Sequence, residues 1–572
     1  MTHLSGILTV IRADGSTKML SANSEVQEDD RMTTTDETYA HVKVVDDRGA
    51  TMRKGKETYG VVSRDGTRVG QWAALDFISL LPLLVIVGVV PLVVFLKATP
   101  VPTGYQQFWV ASIDFDFFSF YKARITLVSA SALLLIGFVS HGLGRLSVRN
   151  DVLFIPLGIY TFMVVSSTVL SEHLSVASWG FFERSEGMWV LLAYVVLLIG
   201  TYLFVRTARQ VWLILTVGAV AVSVVCVLGV FQYFGLDFFS SMMGRRLVLP
   251  AQYGHLAPNL RFNFPPHIIY STLYSPNNVA SMMAMVFPLA FSCFALAGNW
   301  RIRAISGAQV GLSCITLVGS NGRAGWIAAP LALLLLFLLS PGRKNTWGWK
   351  SVVALLLVVA VGIGVLEQSS GGALSLRTKG MWTEFAGLLA ESGGRDDGCK
   401  TVVPPGNAQS EEMTDLIIRY GKVASFRGYI WIRSLQMAGD TMLLGHGPDT
   451  FALYFPNADP YKACVSQMFF DKPHNLYLQM WLNLGGVAML AFLAMMIMHT
   501  MNTRRALKMA DKGSDLYMLA AGLYAGWAGY LIAGFFYDSA VHVAPVFWVV
   551  FGLGLAVNKL IHSDRSGIST RT

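Results

Sequence analysis

The sequence predicts an all-α polytopic membrane protein of about twelve transmembrane helices, with a small β-rich N-terminal domain and a large extracytoplasmic loop before the tenth span. Three observations predict it. Of 572 residues, 53% are hydrophobic and only 14% charged, with a mean hydropathy of +0.51, whereas soluble domains hold about 25% charged residues. The apolar residues come in blocks such as 75–95, 190–205 with its flanks, and 352–366, each near the roughly 20 residues that cross a bilayer core. The basic residues behind the net charge of +9 sit in short loops between these blocks rather than on one soluble face. That pattern excludes nucleic acid as a partner and makes membrane lipid the solvent of most of the chain.

Residues 1–70 differ from the rest. Alternating apolar runs at 7–10, 41–45 and 59–62 are punctuated by Asp14-Gly15, Asp47-Arg48-Gly49 and Asp65-Gly66, which reads as strands joined by tight turns. The order of these pieces, with Glu28-Asp-Asp-Arg-Met-Thr-Thr between the first and second, resembles the small β domain named after FecR. Residues 1–30 are polar and lack an apolar signal-peptide region, so the N-terminus is expected to be retained.

Spans are expected near 74–96, 124–143, 152–170, 188–206, 211–233, 278–298, 304–319, 324–340, 351–366, 476–499, 515–536 and 541–560. In this register alternate loops carry Arg145 and Arg149, Arg206 and Arg209, Arg301 and Arg303, Arg343 and Lys344, then Arg504, Arg505 and Lys508. The positive-inside rule puts those loops and both termini in the cytoplasm. The expected organisation is a cytoplasmic domain at 1–70, nine spans over 71–366, the outer loop 367–475, three spans over 476–562 and a cytoplasmic tail at 563–572. The outer loop contains Trp382, Tyr420, Tyr429, Trp431, Tyr454 and Tyr461, enough aromatic surface to pack. Residues 393–412, rich in Gly, Pro, Asp and Ser, read as its mobile portion.

Polar residues at the outer boundary are where chemistry is expected. Arg323 stands in Gly319-Ser-Asn-Gly-Arg-Ala-Gly-Trp326, Arg427 in Phe426-Arg-Gly-Tyr-Ile-Trp431, and His474 in Lys472-Pro-His-Asn475. Each has a plainer reading by itself. Arg323 can snorkel to headgroups, Arg427 can be a surface charge on an amphipathic helix marked by Phe426, Ile430, Ile432 and Leu435, and His474 can cap or pack before a helix.

Together they resemble the O-antigen ligase and polymerase superfamily over about 70–565. His474-Asn475, followed after nine residues by Gly485, is similar to the ligase histidine motif. Arg427, Trp431 and Leu444-Gly-His-Gly447 resemble the stretch leading into it, and Ser320-Asn-Gly-Arg323 its Ser-x-Ser-Arg turn. Glu183-Arg-Ser-Glu-Gly187 and Tyr274-Ser-Pro-Asn-Asn278 also fit. Two positions depart from the pattern: Ala488 where the ligase motif has Gly, Thr or Tyr, and Gly322 in place of the second Ser.

The resemblance implies a membrane glycosyltransferase of the inverting type, GT-C-like in fold. It would move a glycan from a polyprenyl-diphosphate donor to a glycan, lipid or protein acceptor on the outer face of a bacterial cytoplasmic membrane. Catalysis would fall to His474, Arg427 and Arg323, and substrate binding to Arg184, Glu186, Asn277, Asn475, His446 and Trp431. Two arginines can neutralise a leaving diphosphate through bidentate bonds, and a histidine can take a proton near neutral pH. No metal and no cofactor is expected. Asp114-Phe-Asp116 is the nearest imitation of a metal-binding Asp-x-Asp and reads as structural, and neither a phosphate-binding loop nor a nucleophile elbow occurs.

Ligase, polymerase and protein oligosaccharyltransferase all remain open. A secondary transporter is the alternative of a different class, but the spans are nearly free of charge and the halves show no repeat. Cys226, Cys293 and Cys314 fall in expected spans, while Cys399 and Cys464 share the outer loop. A bridge between those two would close about 65 residues and stabilise the loop by roughly 4 kcal/mol.

Overall fold

The computed structural model describes residues 66–108, 112–144, 146, 152–262, 264–339, 349–389, 416–417, 419–459, 462 and 469–565, together with six short strands before residue 54. The chain divides into two compact units, Met1–Ile78 and Ser79–Thr572.

The first unit carries β1 (His3–Ser5), β2 (Leu8–Ile11), β3 (Thr17–Leu20), β4 (Arg31–Thr34), β5 (Tyr39–Lys43) and β6 (Gly49–Arg53). They form two antiparallel three-stranded sheets, ordered β1-β5-β6 and β3-β2-β4. Leu8 pairs with Leu20 on one side and Thr34 on the other, so β2 is central. The run at 59–62 lies outside the described residues, as do Cys399 and Cys464.

The second unit is mostly helical and embedded in the membrane. Among the described residues, seven helices are long and apolar enough to cross a bilayer: Phe120–Gly142, Ala208–Tyr233, Pro276–Leu296, Trp300–Gly319, Gly486–Met509, Asp515–Ala533 and Ala544–Asp564. A bent pair, Leu356–Ser369 and Ala373–Thr383, meets the same test jointly across a 96° break. Phe77–Gly88, Phe154–Val169, Met188–Phe204 and Arg323–Leu339 are apolar but shorter. Among the described residues seven or eight spans therefore satisfy length and hydropathy, and a count of twelve requires the short helices to cross as well.

Two expected boundaries move. The span expected at 476–499 is broken into Leu476–Leu484 and Gly486–Met509. Gly485 between them has φ +106°, and a Cβ there would lie 2.6 Å from the Leu443 carbonyl oxygen, so only glycine fits. The loop expected from 367 opens instead on a helix, Ala373–Leu389, bent away from Trp349–Ser369. Apolar periodicity reveals a helix but not a bend within it.

Burial separates interior helices from peripheral ones. Pro276–Leu296, Asp515–Ala533 and Ala544–Asp564 are buried over most of their length, whereas Phe120–Gly142 and Ala208–Tyr233 present most of theirs outward. Phe138 is 81% exposed, as expected of a lipid-facing side chain. Close approach fixes the interior pair: Cβ atoms at Gly526 and Gly529 would fall 2.5 and 2.1 Å from the Met285 and Ala284 carbonyl oxygens. Small residues at such spacing let membrane helices touch through their backbones.

A candidate active site where the helix ends meet

His474 lies just before helix Leu476–Leu484, and Asn475 explains why that helix starts where it does. The Asn475 side-chain oxygen accepts from Tyr477 N (2.9 Å) and Leu478 N (3.1 Å), and its amide donates to the Phe535 carbonyl (3.0 Å). Asn475 is thus a helix cap that ties the histidine to the loop between the last two helices. That loop supplies Asp538. Its Oδ2 lies 2.8 Å from His474 Nδ1 and its Oδ1 accepts from Asn475 N at 3.1 Å. The His474 side chain is 31% exposed and that of Asp538 2%, so one edge of the ring can meet a ligand. With Nδ1 donating to the carboxylate, Nε2 is left as the acceptor.

A cavity of ≈ 120 Å³ opens beside this pair, walled by Arg184, Tyr274, Asn277, Lys472, His474 and His542 among others. Both supporting segments quoted from the sequence, 183–187 and 274–278, therefore reach it.

Its cations are unequal. Arg184 grips Asp471 through Nε (2.6 Å) and Nη2. Burial works against Asp471 ionising, yet Arg184, then His474, outweigh it and hold the carboxyl below the usual carboxylate range. Lys472 Nζ lies 3.4 Å from Glu186 and donates to the Ser539 carbonyl at 2.8 Å. Glu186 is also bonded by Ser539 Oγ (2.6 Å) and the Tyr194 hydroxyl (3.0 Å). At 3% exposure it braces the wall and leaves little for a substrate. Burial pushes its carboxyl above the usual range, and Lys472 opposes that.

Arg427 stands behind the Asp538 side of the pair. Its helix, Val423–Met437, is kinked through Ala424, Ser425 and Phe426, all with positive φ. Nε donates to Phe536 O (2.9 Å) and Nη1 to Ala424 O (2.8 Å). Burial, with Arg323 adding to it, pushes the guanidinium down, while Asp538 and Tyr537 pull it back. Arg323, Arg427, Asp538 and His474 thus form one electrostatic neighbourhood, although neither arginine lines the cavity itself. Along this helix Tyr429 and Ile430 are buried and Leu435 is 57% exposed, so Leu435 does not share the buried face expected of it.

Arg323 begins helix Arg323–Leu339 after a turn in which Ser320 Oγ donates to Leu317 O (2.7 Å) and accepts from Gly322 N (3.2 Å). The departure at Gly322 has a packing reason. A Cβ there would sit 2.3 Å from the Ala280 Cβ, so this turn has no room for the second serine.

Two expected binding residues stand apart from the cavity. Trp431 Nε1 donates to the Pro473 carbonyl at 3.0 Å, which makes it a buttress of the His474 turn. His446 stacks on Tyr454 at 3.9 Å, and its backbone is tied to Leu482 and Ser171. The glycines flanking it answer to space and backbone: Cβ at Gly445 would strike Asn483, and Gly447 has φ +110°. Asn277 does border the cavity, one residue into the helix capped by Ser275.

Sequence reasoning missed Asp538, His542, Tyr537, Asp471 and, as a site residue, Lys472. Asp538 had a usable signal, as an acid isolated between two apolar blocks. Asp114 and Asp116 are both 5% exposed. Asp116 accepts from Phe118, Ser119 and Phe120 amides at 2.7–2.8 Å and so caps helix Phe120–Gly142. Burial first, then Glu183 and Asp116, push the Asp114 carboxyl up to about 7. Among the described residues no group of three or more His, Cys, Asp or Glu converges as metal ligands do.

Residues 308–493 match the family model described as O-antigen ligase. The match contains Arg323, Arg427, His446 and His474 but ends before Asp538 and His542. A search of curated proteins gave no match.

Proposed function

We propose that this chain, whose residues 308–493 match the O-antigen ligase family model, transfers a glycan from a polyprenyl-diphosphate carrier to an acceptor hydroxyl at the outer face of the bacterial cytoplasmic membrane. The match to that family supports a membrane glycan-transfer role in polysaccharide biosynthesis. The single observation that carries the finer reading is the partly exposed His474 held by buried Asp538 at 2.8 Å beside a cation-lined cavity.

In this reading His474 Nε2 takes the proton of the acceptor hydroxyl. The freed oxygen attacks the anomeric carbon, and the bond from that carbon to the diphosphate breaks with inversion. Asp538 fixes the tautomer and stabilises the imidazolium that forms. Arg427 and Arg323 offer charge to the departing diphosphate, and Arg184, already paired with Asp471, orients the wall. No metal takes part. The matching topology has both termini cytoplasmic and the cavity outside.

Purified protein in liposomes, given a polyprenyl-diphosphate oligosaccharide and a hydroxyl acceptor, should consume the donor and yield a longer or transferred glycan, with or without EDTA. Donor left intact under all acceptors, or EDTA inhibition that magnesium reverses, sinks the proposal.

A further inference from the structure

Two histidines border the same cavity, and their surroundings differ. His474 is backed by a carboxylate. His542, in the loop before helix Ala544–Arg565, is 2% exposed and faces the Ser119 hydroxyl, with Nε2 3.4 Å from Oγ. That hydroxyl already gives its proton to the Glu183 carbonyl at 2.6 Å. Having donated its only proton, it can only accept, so Nε2 carries the ring proton and Nδ1 a bare lone pair. Nδ1 has no partner among the described residues. A buried acceptor without a partner calls for a ligand or an ordered water.

The ring is also held neutral. Burial first, then Lys122, Arg184 and Lys472, push it well below its ordinary value. A neutral Nδ1 lone pair repels a phosphate oxygen and attracts an O–H. In a cavity that serves glycan transfer, the donors with that chemistry are sugar hydroxyls.

We infer that His542 is a carbohydrate-binding residue of this site, its Nδ1 receiving a sugar hydroxyl other than the one His474 deprotonates. The inference rests on the glycan-transfer reading and extends it by assigning a glycan contact outside the matched family stretch. Tyr274, whose ring lies parallel to His542 within 17°, borders the same cavity.

Amide replacements separate this role from a structural one. In His542→Asn the side-chain oxygen stands near the old Nδ1, keeping the acceptor and losing the donor to Ser119. In His542→Gln the nitrogen stands near the old Nε2, keeping the prop and losing the acceptor. In the liposome transfer assay the glycan KM should rise roughly three- to tenfold in His542→Gln and less in His542→Asn. The opposite order means that His542 only props Ser119, and overturns the inference.

A second readout does not depend on turnover. The ¹⁵N spectrum of histidine-labelled protein in nanodiscs, with His542 assigned by difference from His542→Gln, should show an unprotonated Nδ1. That signal should move on adding the lipid-free repeat-unit oligosaccharide released from the donor by mild acid. A wild type that transfers nothing but shows this movement sinks the transfer reading and keeps the sugar contact. A wild type that transfers while Nδ1 stays unmoved does the reverse.

Discussion

The two walls of the cavity carry similar charges and use them differently. On one, Arg184–Asp471 and Lys472–Glu186 are paired and largely buried. On the other, His474 keeps nearly a third of its side chain exposed while Asp538 behind it is buried. A buried pair that satisfies itself fixes the shape of a wall, and a buried acid behind an exposed base leaves the base free to react. Charge type and boundary position alone do not separate these roles, since all of these groups lie in the expected outer loops. What separates them is how much of each group's bonding capacity the protein has already used.

The largest effect should come from the reactive wall. His474→Ala should lower transfer by about 10²–10⁴-fold, the range for a general base. Donor binding should survive, because a base acts mainly in the transition state. Asp538→Asn should also fall about 10²-fold or more by releasing the tautomer. Steady-state transfer with separate donor-binding measurements decides it. Near-normal transfer by either variant would erase the distinction between the walls.

The braced wall should answer in stability first. Lys472→Met leaves Glu186 buried without its cation and should cost about 3–5 kcal/mol, read as a marked fall in the thermal midpoint of the detergent-solubilised protein. The pair replacement Lys472→Met with Glu186→Leu should recover much of it. His474→Ala should lower the midpoint less, because Asp538 keeps the Asn475 amide when the imidazole is gone. Equal losses of stability from both walls would contradict the comparison.

Arg427 sharpens the comparison because it belongs to both sides, bracing Phe536 while standing near Asp538. Arg427→Lys keeps the charge but loses the planar fork and its Nε bond to Phe536. Transfer should drop roughly tenfold, the worth of one charge-assisted bond of about 1.5 kcal/mol, and donor binding should weaken with it. A loss confined to stability would move Arg427 wholly to the braced wall.

The smallest effect concerns acid. Asp471 has its folded value held below the ordinary carboxylate range, so its contribution to stability is present above the unfolded value. It is lost as pH falls through the lowered folded one. Asp471→Asn should therefore cost stability at neutral pH and flatten the acid limb of the midpoint-against-pH curve. An acid limb as steep as in wild type would place the titrating group elsewhere.

That this is a helical membrane protein was legible along the chain, because apolar blocks of this length are stable in lipid as helices. The sequence also brought out Arg323, Arg427 and His474, because their local motifs survive in one dimension. It determined that strands precede the helices, since alternation and turn residues are short-range signals. It took the folded arrangement to show that Asp538, 64 residues beyond His474, is its partner, and that Asn475 is a cap. The same holds for Trp431 and Glu186 as braces, for His446 lying away from the cavity, and for Gly322 being dictated by Ala280. Each of these depends on which polar atoms are already bonded and how closely two backbones approach. Those are properties of packing between distant segments, and no spacing along the chain encodes them.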